Sequence, residues 1–140
     1  MANAASNKIK YEICIGAISF SSDVFKIILM QSGFVFNKDS HHAYSDVSAS
    51  ELANGNGYTT GGATLSGVVV TEDDVNDICS VVWDNATFTA SGGNIGPVSG
   101  AIIYDDSVSD YIVGYFDFGA DYTQPSGGTM SLIGLELDLS

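Results

Sequence analysis

Arginine is absent from this chain, and its only cations are Lys8, Lys10, Lys26 and Lys38, all in the first third. Against them stand 17 acidic residues, for a formal net charge of -13. A nucleic-acid surface needs several cations to displace condensed counterions, so nucleic acid is not expected as a partner. Anionic lipid is disfavoured by the same argument. Long hydrophobic runs are missing too: the most apolar, Ile27 to Met30, is four residues long behind Lys26, where a bilayer span needs about twenty. No membrane association is expected. Met1 to Asn7 is small and polar with lysines after it, unlike a secretory signal, and reads as a flexible N-terminus without export. Cysteine is scarce. Cys14 and Cys79 sit beside isoleucines, a setting that favours free, buried thiols over a disulfide.

What remains is 45% apolar, only 15% charged, and carries 16 glycines. That composition describes one globular domain of turns and sheets over residues 1–140. From Lys8 to Gly16 two readings compete. Ile9 and Ile13 lie at helical spacing with Gly16 as a C-cap, whereas the three isoleucines favour an extended strand, which leaves the short helix the lesser reading. Ser21 to Asp23 is a turn, and Val24 to Gln31 is apolar on both faces, as a buried strand is. Residues 34–57 form a long irregular segment anchored by Phe34, Phe36 and Tyr44. Such a loop is either a surface arm that fastens on a neighbouring subunit or an Ω-loop that caps the core.

Further strands are expected at Leu65–Thr71, Asp77–Trp83, Thr87–Ala90, Val98–Tyr104, Tyr111–Phe118 and Thr129–Leu139. Asp84-Asn85 reads as a hairpin reversal that sets Trp83 against Phe88. In the last strand Met130 and Leu132 fall on the opposite parity from Ile133, Leu135, Leu137 and Leu139, which a bulge near Leu132 or Ile133 would reconcile. With a short run near Tyr58 the total is about eight antiparallel strands, an all-β, jelly-roll-like β-sandwich.

Catalytic and metal patterns are weak. His41 and His42 are adjacent and point apart on extended chain, with no further ligand at zinc spacing. No serine sits in a Gly-x-Ser-x-Gly elbow. The acidic turns at 73–77 and 105–110 lack the glycine and distal glutamate of a calcium loop. Gly55-Asn56-Gly57 and Gly61-Gly62 precede neither a helix nor a lysine, so they are not phosphate cradles. Asn85-Ala86-Thr87 matches a glycosylation acceptor but is accounted for by turn chemistry. No enzyme activity, cofactor or metal is expected. The aromatics are a better lead: by strand alternation Tyr111, Val113, Tyr115 and Asp117 share one face, suited to an oligomer or partner contact. Together with the loop residues this gives the candidate interface Phe34, Phe36, His41, His42, Tyr44, Tyr111 and Tyr115.

The order and spacing of several segments carry a resemblance. They are Asn7-Lys8-Ile9-Lys10-Tyr11-Glu12, Phe25 to Met30 with Ser32-Gly33-Phe34, Asn37 to His41, Gly57 to Gly67, Ala101 to Asp106, and Val113-Gly114-Tyr115-Phe116-Asp117-Phe118-Gly119. In this order they resemble small tailed-bacteriophage virion proteins of the capsid cement or decoration type. Ser91 to Ser99 and Leu135 to Ser140 depart from that pattern. The resemblance implies a virion protein on the outer capsid surface, assembled in the host cytoplasm. It implies a major capsid protein as partner, a homo-oligomer (dimer or trimer), and no catalytic residues. Alternatives are a tail, head-to-tail or receptor-binding part, or a carbohydrate-binding jelly-roll module.

Overall fold

A computed structural model describes all 140 residues, Met1 to Ser140. The chain is all-β in class, with strands β1 (Ala2–Ala5), β2 (Phe25–Gln31), β3 (Ala63–Thr64), β4 (Val69–Asp73), β5 (Ile78–Val82), β6 (Ala86–Thr89), β7 (Ile95–Asp105), β8 (Tyr111–Gln124), β9 (Thr129–Leu132) and β10 (Glu136–Leu139). Two short helices, α1 (Asn7–Cys14) and α2 (Tyr44–Val47), interrupt them. Every strand pairing is antiparallel. One layer is a five-stranded sheet in the order β1-β8-β7-β2-β3. The other consists of β10-β5-β4 and the pair β6-β9.

The second layer is simpler than its two sheets suggest. Val82 faces Glu136 and Ala86 faces Leu132, so both pairings continue one register, and between them the Trp83 amide donates to the Leu135 carbonyl at 3.0 Å. Both strands reverse the side they present to the core at this point. Val81 and Trp83 point in, then Ala86 and Phe88; Met130 and Leu132 point in, then Leu135 and Leu137. The parity change in the last segment is therefore real, but it arises from a break around Gly134 (φ +66°) and not from an extra residue. The expected hairpin at Asp84-Asn85 does not form. Trp83 packs on Phe25 and Phe20, and Phe88 on Tyr58, because β5 and β6 run on in line.

Between the layers lies the main core: Ile27 and Leu29 of β2, Ala101 and Ile103 of β7, and Val113 and Phe116 of β8 face Val81, Trp83, Phe88, Leu135 and Leu137. Alternation along β8 is broken where Ile103 pairs with Gly114 but Tyr104 pairs with Ile112, which leaves Val113 as an extra residue. A bulge puts two neighbouring residues on one side of the strand. Val113 and Gly114 thus both look inward, while Ile112 and Tyr115 look outward. The expected shared face of Tyr111, Val113, Tyr115 and Asp117 is corrected accordingly.

Three local expectations change as well. Residues 7–14 are helical: the Ser6 hydroxyl caps α1 by accepting from the Lys8 amide at 3.2 Å, Ile9 is buried, and Gly16 (φ +76°) ends the turn. The first residues are not free, since Ala2–Ala5 pair with Gly114–Asp117 of β8. Small polar side chains do not prevent this, because backbone groups make the ladder. The thiols are unpaired, but Cys14 is exposed at the end of α1 and Cys79 half-buried.

Candidate interaction site

The outward face of the five-stranded sheet carries Ile28, Met30, Ile102, Tyr104, Ile112 and Tyr115, a second apolar cluster that would lie open without cover. The long segment after β2 supplies that cover. Phe34, Phe36, Tyr44 and Val47 pack onto it, so residues 34–57 are a strap across the sheet, closer to the capping loop than to the free arm.

Glu51 holds the strap down. Its buried carboxylate accepts from the Tyr58 hydroxyl at 2.6 Å, the Gly61 amide at 2.8 Å and the Tyr44 hydroxyl. The Tyr58 oxygen in turn accepts from the Leu29 amide at 3.1 Å. Next to it the Leu52 amide donates to the Leu29 carbonyl, and Glu51 bridges Met30, continuing the edge that β3 begins. Burial and the neighbouring carboxylate push the Tyr44 hydroxyl up to about 12 and the Tyr58 hydroxyl higher still. Both phenols remain donors at any physiological pH. A buried charge without a counter-cation is tolerable only when donors surround it. Glu51 was missed in the sequence because one acid among seventeen carries no local signal.

Phe34, Phe36, His41, Tyr44 and Tyr115 do come together, though mostly as packing, whereas the Tyr111 side chain packs against the main core. Phe34 and Phe36 flank Tyr115 at centroid distances of 5.5 and 5.4 Å, and His41 stacks on Phe34 at 5.6 Å. Tyr115 is buried, only 7% exposed, and burial raises its hydroxyl pKa. Tyr44 stacks on Tyr104 at 5.0 Å. His42 bonds the Asp39 carbonyl through Nε2, and its own carbonyl accepts from Ile112, while Ala43 bridges Tyr111. Asp46 fixes this corner by accepting from the His42 and Ala43 amides, which lowers its pKa. The two histidines thus serve the strap's own backbone.

Among the large apolar residues of the strap, one faces water instead. Val35, between Phe34 and Phe36, is 79% exposed. It overhangs a hollow of about 330 Å³ bounded by Ala2, Ala4, Phe34, Phe36, Tyr115 and Asp117. This aromatic-floored ledge, with an acid on its rim, brings Phe34, Phe36 and Tyr115 of the expected interface to one open hollow. Sequence alternation could not single out Val35, because its neighbours are the residues that look like anchors.

A second acidic feature lies at the β7–β8 turn. Asp105 is fully buried, and its Oδ1 accepts from the Ser107 and Val108 amides at 2.9 and 3.2 Å. Its Oδ2 is buried with no donor from the rest of the chain, and the carboxyl meets that of Asp23. Burial first, and then the neighbouring Asp23, push the Asp105 carboxyl up to about 7. Lys26 pairs instead with the exposed Asp106 at 3.4 Å. No group of three or more His, Cys, Asp or Glu side chains is arranged to hold a metal ion, and no helix is long and apolar enough to cross a membrane.

Compared with known proteins, the chain matches no protein family, no curated protein and no solved structure.

Proposed function

We propose that this protein is a tailed-bacteriophage virion component, a cement or decoration protein that sits on the outer head surface between copies of the major capsid protein. In this reading it acts as a small homo-oligomer, a dimer or trimer, and makes no covalent bond. The observation that carries the proposal is Val35: an apolar side chain held out over an aromatic hollow by a strap that buried hydrogen bonds fix in place. Single exposed valines are ordinary. A valine at the lip of a preorganised apolar hollow is a contact whose ordering cost folding has already met. The charge of -13 supports the same reading, since it keeps free subunits apart and draws them to a basic partner. The order of motifs resembling phage virion proteins supports it from the sequence side.

Quantitative mass spectrometry of purified virions tests it. The proposal expects hundreds of copies per particle, lost together with resistance of the head to rupture. A count of a few copies would move the protein to the tail or head-to-tail junction, and its absence from particles would end the proposal.

A further inference from the structure

The β1 side of β8 is covered for half its length and then open. Ala43 bridges Tyr111, the Ser6 amide donates to Val113, and β1 pairs from Gly114 to Asp117. Beyond Asp117 no strand pairs with β8 on that side; the chain bends at Gly119 (φ +79°), where its register with β7 shifts, and runs on as strand to Gln124. Across from it β9 pairs with β6 on one side and with nothing on the other. Between these two open edges lies a groove of about 420 Å³, bounded by Met1 at one end and by Phe118, Tyr122, Leu132 and Ile133. Consecutive residues of each strand line it, as they line an edge; a sheet face would show alternate ones. Tyr122 is 46% and Ile133 64% exposed, so apolar surface is available there.

We infer that this groove binds an extended segment of a partner protein, added as a strand along Phe118–Gln124, with apolar side chains alternating with lysine or arginine. The strand occupies the slot that β1 fills only as far as Asp117. Its apolar side chains go down onto Phe118 and Leu132, and alternation turns its cations outward. There they meet Asp121, which lines the groove and is exposed. None of the chain's four lysines lines the groove. A second copy would bring more acid to an acidic rim, so the charge favours a basic partner over self-association. The inference rests on the reading that the chain works by docking, and it names the chemistry of the segment docked.

The test uses two capped synthetic peptides about seven residues long, one alternating valine with lysine and the other valine with glutamate, added to the full-length protein without any capsid. Hydrogen exchange is followed along β8, and affinity by titration. Expected are slowed exchange of amides in residues 118–124, binding at least about tenfold tighter for the lysine peptide, and loss of binding on backbone N-methylation of the peptide. Ile133→Ser, at an exposed position that leaves the fold intact, weakens binding about fivefold. Val75→Asp, at the exposed turn between β4 and β5, leaves it unchanged. Equal affinity for both peptides, no protection of residues 118–124, or protection by self-association without peptide each overturns the inference. Because no shell is present, peptide binding with failed shell binding would count against the virion role alone.

Discussion

Replacing Asp105 by asparagine tests whether a shared proton sits beneath the β7–β8 turn. In the folded chain the carboxyl rises from an ordinary 3.8 to about 7, through burial first and then the neighbouring Asp23. The native state therefore binds a proton that the unfolded state releases between about pH 4 and pH 7. The stability this confers is fully present below about pH 4 and is lost as pH climbs through 7. A shift of that size corresponds to about 4 kcal/mol at most. Asp23 is only half-buried, so water reaches one side of the pair and about 2 kcal/mol is the effect to expect. The side-chain amide of the Asp105→Asn variant would keep an oxygen acceptor for the Ser107 and Val108 amides and donate permanently to Asp23. Urea unfolding at pH 5 and pH 8 reads the difference. General repulsion among the acids lowers stability in the same direction, so the diagnostic quantity is the difference between the two proteins' slopes. The wild type should lose about 1 kcal/mol more than Asp105→Asn between those pH values, the rest of the effect having been lost below pH 5. Parallel profiles for the two would refute the shared proton.

Glu51→Ala leaves the Tyr44 and Tyr58 hydroxyls and the Gly61 amide without their acceptor. It should cost about 3 kcal/mol or more in denaturant unfolding, with Glu51→Gln costing less because one oxygen remains; a loss under about 1 kcal/mol would show that the strap does not depend on this carboxylate. Gly62 has φ +78°, and a Cβ there would lie 1.9 Å from the Ile27 carbonyl oxygen. Gly62→Ala should therefore lower stability by about 3 kcal/mol and loosen the β2–β3 pairing, whereas Gly127→Ala, also at positive φ but in open space, should cost only about 1 kcal/mol.

Much of the strand content was legible because its signals are local. The apolar run at Phe25–Gln31 and the glycine-punctuated segments around β7 and β8 read directly as strands. Two kinds of information were not local. A bulge at Val113 depends on what β7 does opposite it, so strand alternation wrongly put Tyr111 and Val113 on the face of Tyr115, and the burial of Tyr115 comes from Phe34 and Phe36 of the strap. The in-line continuation of β5 into β6 depends on β9 and β10 keeping one register some fifty residues away, and Asp84-Asn85 alone looks like a turn. The same limit applies to the site. Sequence pointed to the aromatics of the strap and of β8, and these do meet. Yet the most exposed apolar residue beside them is Val35, and the residue that fixes the strap is Glu51, one acid in a chain full of them. Tyr115→Ala would consequently probe packing and not contact, which makes Val35 the proper position for a binding variant.

Co-sedimentation of the purified protein with mature tailed-phage heads tests the proposed docking role most directly. The wild type should bind saturably, with hundreds of sites per head, while Val35→Asp should fold normally, since the side chain is 79% exposed, and bind at least about tenfold more weakly. Equal binding by the two proteins, or no binding by either, would contradict it.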